Sequence, residues 1–424
     1  MTLTSAAALD AHPHRWPMLL LLAAAELLGM SLWFAASAVA PELQRQWGLT
    51  ASQTGWLTAA VQAGFVAGTA AAAILNLADV IPSRWYFAVS ATLGAVVNVA
   101  LLAAPTYPLA LVSRFFTGFC LAGVYPPAMK MIATWFSSGR GLAIGTVVGA
   151  LTVGKAVPYL AHALAGSRVA PVVVVVSAGA LVGAVLVAAG YRDGPFAFAR
   201  PPFSWRLAGT VLRERQWRLA TGGYLGHMWE LYSFWTWITA FVVASAAARA
   251  RAGGVVPSEV VLGLLAFGAI AVGGLGCVWG GWVADRIGHE RLVIRAMAVS
   301  GSCAVVIGGL FASSVWVMVA VAWLWGFFVI ADSAQFSTMV TRSVPSHAVG
   351  TALTLQTSLG FLLTMASIQL VPPLVALVGW RWAFAALAIG PALGIASIRR
   401  LQAVKAEGAG ERPYGTTKIP TSPP

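Results

Sequence analysis

The stretch SEVVLGLLAFGAIAVGGLGCVWGGWVADRIGHER, Ser258–Arg291, decides the fold class. Between Glu259 and Asp285 it carries no charged residue. Then Asp285, Arg286, His289, Glu290 and Arg291 crowd together at its end. About 20 apolar residues in α-helix cross the hydrocarbon core of a bilayer. The stretch therefore reads as a membrane-spanning helix that runs into a charged loop.

The rest of the chain repeats this pattern. Of 424 residues, 59% are hydrophobic and only 9% charged, with a mean hydropathy of +0.81. A soluble domain carries roughly 25% charged residues. So few charges cannot coat a water-facing surface of this size, and lipid must be the solvent for most of the chain. Twelve runs follow: 17–40, 54–78, 85–104, 108–130, 141–164, 169–190, 218–246, 258–283, 292–312, 315–339, 348–371 and 380–399. The fold class expected is an all-α membrane protein of twelve transmembrane helices. The first run is longer than the apolar core of a signal peptide, roughly 7–15 residues, and reads as a retained helix.

A net charge of +13 would suggest nucleic acid in a soluble protein. Here the basic residues lie in short gaps between apolar runs, so membrane topology explains them and no nucleic-acid partner is expected. With the N-terminus in the cytoplasm, nineteen of the 26 Lys and Arg residues fall on that side, the bias of cytoplasmic loops. Both termini are thus expected to be cytoplasmic, in a cell inner membrane. Cys120, Cys277 and Cys303 stand alone in apolar stretches and offer neither a disulfide framework nor a CxxC metal site.

The longest polar interval, 191–217, holds Pro195, Pro201, Pro202 and several arginines. It divides a cytoplasmic N-terminus (1–16) and a six-helix bundle (17–190) from a second bundle (218–400) and a disordered cytoplasmic tail (401–424). The halves repeat. Ser52 and Asp79 bound one span as Ser258 and Asp285 bound another, with both pairs offset by 206 positions. Glu26 and Trp33 are spaced as Glu230 and Trp237 are, and Gly166-Ser-Arg168 resembles Gly379-Trp-Arg381. Two six-helix halves with a site at their interface form a transporter arrangement.

On these residues the chain resembles the major facilitator superfamily over nearly its whole length. Gly281-Trp-Val-Ala-Asp285-Arg286-Ile-Gly288-His-Glu-Arg291 is similar to the family's loop signature GxxxDRxGR, with His289 where Arg is usual. In the first half only Asp79 and a later Arg84 remain of that pattern. The resemblance implies that Gly281, Asp285, Arg286 and Asp79 hold a helix terminus while the cytoplasmic side is closed. A carboxylate is favoured beside helix N-terminal amides. Arg114-Phe-Phe-Thr-Gly118 resembles the family's RxxxG element. The antiporter signature of many drug exporters carries Gly-Pro, whereas this chain has Gly149-Ala150.

Charges inside spans cost roughly 2.5–3.5 kcal/mol even on the lenient insertion scale, so each needs a reason. At 1.5 Å per residue Glu26 lies about 14 Å and Glu230 about 18 Å into their spans, near mid-bilayer. By resemblance, their helices line the central cavity. Each carboxylate is a candidate for proton carriage or substrate binding. His227, one turn from Glu230, could form a relay pair with it. Lys155, too deep to snorkel easily, is a candidate contact for an anion, or it neutralises Glu26 or Glu230. Arg114 is either a substrate contact or a buried structural partner. Trp33, Tyr232 and Trp237 are candidate cavity walls, and Asp332 a candidate gate residue opposite Lys130.

The function expected is secondary transport of a small organic solute, a carboxylate-type anion, by alternating access with proton coupling or exchange. The other candidate is proton-coupled efflux of drugs or cationic amphiphiles. A symporter or antiporter has the substrate, protons or a counter-substrate, and the lipid bilayer as partners; a monomer is expected. His227-x-x-Glu230 is half a metal motif, and there is no HExxH, nucleophile elbow or nucleotide-binding loop. No enzymatic activity, cofactor or metal is expected.

Overall fold

The computed structural model describes residues 12–137, 139–166, 168–196 and 204–410, and among them there is no β-strand. Eleven helices among the described residues are long and apolar enough to cross a membrane. A twelfth segment, α1, is broken: Arg15–Met30 is followed by a turn and the short helix Ala35–Ala38. The others are α2 (Ala51–Ile74), α3 (Ser83–Ala103), α4 (Tyr107–Ala133), α5 (Arg140–Ala165) and α6 (Val169–Gly190). Then come α7 (Arg215–Arg251), α8 (Glu259–Ile287), α9 (His289–Gly309), α10 (Val315–Thr341), α11 (Ser346–Val378) and α12 (Trp380–Glu407).

Local chemistry sets several boundaries. Thr50 accepts from Gln53 N while Gln53 Oε1 accepts from Thr50 N, a reciprocal cap that starts α2. Ser258 accepts from Val261 N at the start of α8. Pro158 in α5 and Pro372 with Pro373 in α11 sit inside helices. Neighbouring helices make that tolerable in a bilayer. On α6, Val174, Val175, Val182 and Val185 are about half exposed. A face this apolar is stable against lipid and costly against water.

Two expectations shift. The expected interval 191–217 holds a helix, Trp205–Arg213, and α7 starts at Arg215. The last helix continues to Gly410, ten residues into the expected tail, because Lys405 Nζ donates to Glu290 Oε1 at 2.6 Å and docks it on α9. Residues 411–424 lie outside the described residues.

Packing groups the helices. In the first half α2 packs on α4, α3 on α4 and α6, and α1 on α5 and α6. In the second, α7 packs on α11 and α12, α9 on α10 and α12, and α8 on α10. Two pairs join the groups: α5 with α8, and α2 with α11. The first pair is close because a Cβ on Gly149 would stand 2.8 Å from Gly274 O. Small residues let helix backbones approach in this way.

His12 packs on Trp135, Asp285 meets Gly141, and Lys405 meets Glu290 at one end of the bundle, here called proximal. At the opposite, distal end Ser52 Oγ donates to Gln369 Oε1 at 2.7 Å and closes α2 on α11.

Candidate functional site: an aromatic cage around Lys155

Two backbone features bring the site together. The first is the break in α1. Between Ser31 and Phe34 the regular ladder lapses, leaving carbonyls that a continuous helix would satisfy. Arg114 Nη2 donates to Leu32 O at 2.7 Å and to Trp33 O at 3.0 Å, and its Nη1 donates to Asn98. This fully buried guanidinium holds the turn that carries Trp33. The second is the close approach of α5 to α1, where a Cβ on Gly154 would lie 2.2 Å from Leu27 O. The next residue is Lys155.

Lys155 is 2% exposed and its ammonium is surrounded by rings. Nζ stands 4.2 Å from the ring centroid of Trp33, 4.7 Å from that of Tyr232 and 5.1 Å from that of Trp235, and it donates to the Tyr232 hydroxyl. A desolvated cation–π contact contributes about 2 kcal/mol. Three of them offset much of the cost of a buried cation. Trp33 comes from the first half, Tyr232 and Trp235 from the second, so the cage bridges the two groups of helices. Tyr159 OH donates to Trp235 O at 3.2 Å and ties α5 to α7 beside it.

The cage is rich in donors. Lys155 gives its hydrogen bond to Tyr232, which leaves the phenolic hydrogen free to donate. The indole Nε1 atoms of Trp33 and Trp235 are buried with no hydrogen-bond partner. The ammonium and the phenol both give protons, and an anion is the chemistry that takes them; the two indole N–H groups are further unpaired donors on the same rings.

A cavity of about 70 Å³ adjoins the cage, room for a few ordered waters. Phe65, Phe361, Met30 and Leu231 line it beside the cage. Towards the proximal end it is lined by Tyr125, Tyr224, Ser333, Ser337, Gln356 and Thr357. The distal end is sealed: Trp237 Nε1 donates to Ile368 O at 3.0 Å, and its ring lies 3.2 Å from where a Cβ on Gly55 would stand.

The sequence profile of the Major Facilitator Superfamily matches residues 21–276. The chain belongs to the major facilitator superfamily. It is therefore a multi-pass membrane transporter, not an enzyme. A comparison with curated proteins found no match. Among solved structures it is similar to a bacterial homologue of the human lysosomal transporter Spinster, in an inward-facing and occupied conformation. The identity is 16%, covering 93% of this chain and 98% of that one, with a TM-score of 0.69. It is also similar to a variant of the nucleoside transporter NupG, at 12% identity over 91% of this chain and 99% of that one, TM-score 0.67. At such identities the likeness is one of fold.

Within this facilitator fold the expected site residues separate into groups. Lys155, Trp33 and Tyr232 meet at the cavity. Arg114 and Trp237 do not line it: Arg114 is taken up by the α1 turn, and Trp237 sits in the distal seal. Trp237 departs from Trp33 because α7 runs unbroken past it, while α1 turns before Trp33. Glu26 is fully buried within electrostatic reach of Lys155, and neither carboxyl oxygen has a hydrogen-bond partner. Glu230 accepts from Ser300 Oγ and Trp325 Nε1, each at 2.8 Å. His227 does not pair with Glu230. Its Nδ1 lies 2.8 Å from Asp332 Oδ1, out of line for a hydrogen bond but close enough for a strong polar contact. Both belong to the second half, at the point where α10 is interrupted between Ala331 and Ser333. Asp332 therefore faces a partner within its own group of helices instead of one across the two.

At the proximal end, Asp285 Oδ2 stands 3.3 Å from where a Cβ on Gly141 would be, beside the first turn of α5. Gly281 faces Gly141 O in the same crossing. Arg286 folds back on its own helix, stacked at 3.5 Å over Trp282 and donating to Trp282 O. The side chain of Asp79 lies outside the described residues.

Sequence reasoning did not single out Phe361, Phe65, Gln356 or Trp235. One signal was available. The 206-residue offset that relates Ser52 to Ser258 also takes Lys155 to Phe361, and both line the cavity.

Proposed function

We propose that this chain is a secondary active transporter that moves a small organic carboxylate across the cell inner membrane by alternating access, coupled to protons. The observation that carries the reading is the donor-rich cage: Lys155 Nζ, the Tyr232 hydroxyl and the unpartnered Nε1 atoms of Trp33 and Trp235. Lys155 itself occupies the aromatic box that a cationic amphiphile would need, which argues against amine efflux. Glu26 supports coupling, because it is buried, unpartnered and within electrostatic reach of Lys155. When Glu26 holds a proton, the ammonium is available to a carboxylate. When Glu26 is ionised, it neutralises Lys155 and the cargo leaves. Cargo and proton then move in the same direction.

In this reading the halves 17–190 and 218–400 rock as a monomer about the cage, with residues 191–217 linking them. Both termini are cytoplasmic, as the distribution of Lys and Arg supports. The proximal lining and distal seal then correspond to an inward-facing state. Gly281 and Asp285, already against α5 in this state, hold that crossing through the cycle, with Arg286 beside them and Asp79 at the matching position of the first half. The test is uptake into proteoliposomes of labelled carboxylates and amines at several external pH values. Carboxylate uptake that rises with external acidity, and is lost in Lys155→Gln and Glu26→Gln, is expected. Transport of amines with no transport of carboxylates would overturn the reading.

A further inference from the structure

We propose, building on that carboxylate reading, that the cargo is an aromatic carboxylate with a hydrogen-bonding group opposite the carboxylate. The cavity has two chemically different ends joined by an aromatic waist. The charged end is the cage, where Lys155 meets the Tyr232 hydroxyl and the faces of Trp33 and Trp235. The waist is aromatic, its rings tilted to one another. Phe65 and Phe361 lie 4.7 Å apart by ring centroid, Trp33 and Phe361 5.6 Å, and Tyr232 and Phe361 5.4 Å. Aromatic pairs at these separations accept a further ring by offset or edge contact.

The neutral polar end is set by Gln356. It is 1% exposed, it lines the cavity, and its Nε2 has no hydrogen-bond partner. Ser333, Ser337 and Thr357 line the same end. A buried amide N–H without a partner is costly to leave unmade, so a ligand atom that satisfies it is favoured. Gln356 precedes Phe361 by five residues on α11, which places it about 7.5 Å along the axis from the waist. A benzene ring substituted at opposite positions has the length to reach from one end to the other, and seating it requires the waist rings to part, since the cavity of about 70 Å³ as it stands holds only waters. An aliphatic monocarboxylate would satisfy only the cage, and a dicarboxylate would bring a second charge to an end with no cation on its wall.

The experiment measures dissociation constants of the purified full chain for benzoate, 4-methylbenzoate, 4-hydroxybenzoate, butyrate and succinate by calorimetry. 4-Methylbenzoate is the near-isostere of 4-hydroxybenzoate without its hydroxyl. The expected order is 4-hydroxybenzoate tightest, roughly five- to tenfold tighter than 4-methylbenzoate, the worth of one net hydrogen bond. Both aliphatic acids should bind more weakly than benzoate. Gln356→Met should bring the two substituted benzoates to within about twofold of each other. The wild-type series decides even if that variant does not fold. Equal affinity for the two substituted benzoates overturns the polar-end assignment. Binding of butyrate or succinate without binding of the benzoates overturns the aromatic assignment and leaves the carboxylate reading standing. Binding of amines, or of none of the acids, overturns both.

Discussion

Replacing Arg114 with methionine tests how the broken first helix is held. Methionine keeps most of the side-chain volume and removes every donor. In the structure three buried acceptors take this guanidinium's hydrogen bonds: Asn98 Oδ1, Trp33 O and Leu32 O, the last also accepting a long bond of 3.4 Å from Ala35 N. Interhelical hydrogen bonds inside membrane bundles average about 0.6 kcal/mol and reach about 1.7. Three such bonds are therefore worth roughly 2–5 kcal/mol, the upper part applying where carbonyls are left buried and unpaired. The variant should melt several degrees lower, and the loosened turn should weaken carboxylate binding through misplacement of Trp33. Arg114→Lys should rescue little, because one ammonium cannot reproduce the fork that reaches two carbonyls and an amide. Asn98→Ala should lose a smaller part, and the double variant less than the sum of the singles, since both act on one network. Melting followed by tryptophan fluorescence, with calorimetric binding alongside, provides the readout. An Arg114→Met protein that melts as the wild type does and has lost only its preference for anions would refute the argument and return Arg114 to the ligand site.

Three further outcomes follow from the geometry. Gly154→Ala places a Cβ 2.2 Å from the Leu27 carbonyl and should cost about 1–3 kcal/mol by forcing α1 from α5, while Gly209→Ala, mid-helix in Trp205–Arg213 with nothing within 4 Å, should instead stabilise by about 0.5–1 kcal/mol in the same melting assay. Glu230→Gln should fold with a modest loss of stability, since an amide oxygen accepts from Trp325 or Ser300 but not from both; proton-driven uptake unchanged by it would remove Glu230 as a proton carrier. Burial alone would raise the Glu42 carboxyl, but the His162 hydrogen bond and charge, with Arg45, outweigh it and hold the group below the usual carboxylate range. A depressed carboxyl stabilises the folded state above its unfolded value, about 4.3, and that contribution is lost as pH falls through the folded value. The wild type's melting temperature should therefore fall more steeply than that of Glu42→Gln as the pH drops below about 5.

The spans were legible because lipid demands long uncharged runs, and eleven of the twelve are long and apolar enough to cross, though α4 and α10 carry local interruptions of their own. The break in α1 was not. Ser31-Leu-Trp-Phe34 carries no proline or glycine, and the turn exists because Arg114, more than eighty residues away, supplies donors from another helix. The same distance effect separated Trp33 from Trp237, which the spacing alone treats as equivalent. Lys155 was legible as a buried charge that required a reason. The rings around it were not, since they come from α1 and α7 and no local pattern reports which face of each turns inward. Gln356 escaped because a lone amide in an apolar run carries no charge to flag it. The pairing of His227 with Asp332 was likewise hidden: one turn of helix suggests Glu230, whereas the fold offers a nearer carboxylate from α10.

The crossing of α5 and α8 has a mechanical consequence. Where Gly149 meets Gly274 and Gly141 meets Gly281, backbone lies on backbone, with only Val153 and Asp285 against the glycines at its edges. Interlocked side chains must leave one rotamer well and enter another whenever two helices slide, and each such hop adds to the barrier. A glycine-paired surface has little to unlock. In the rocking motion proposed above it would work as a plain bearing, along which one half pivots against the other while the contact itself is kept. Branched residues placed on it would act as teeth, and would slow reorientation before they changed what the cage binds.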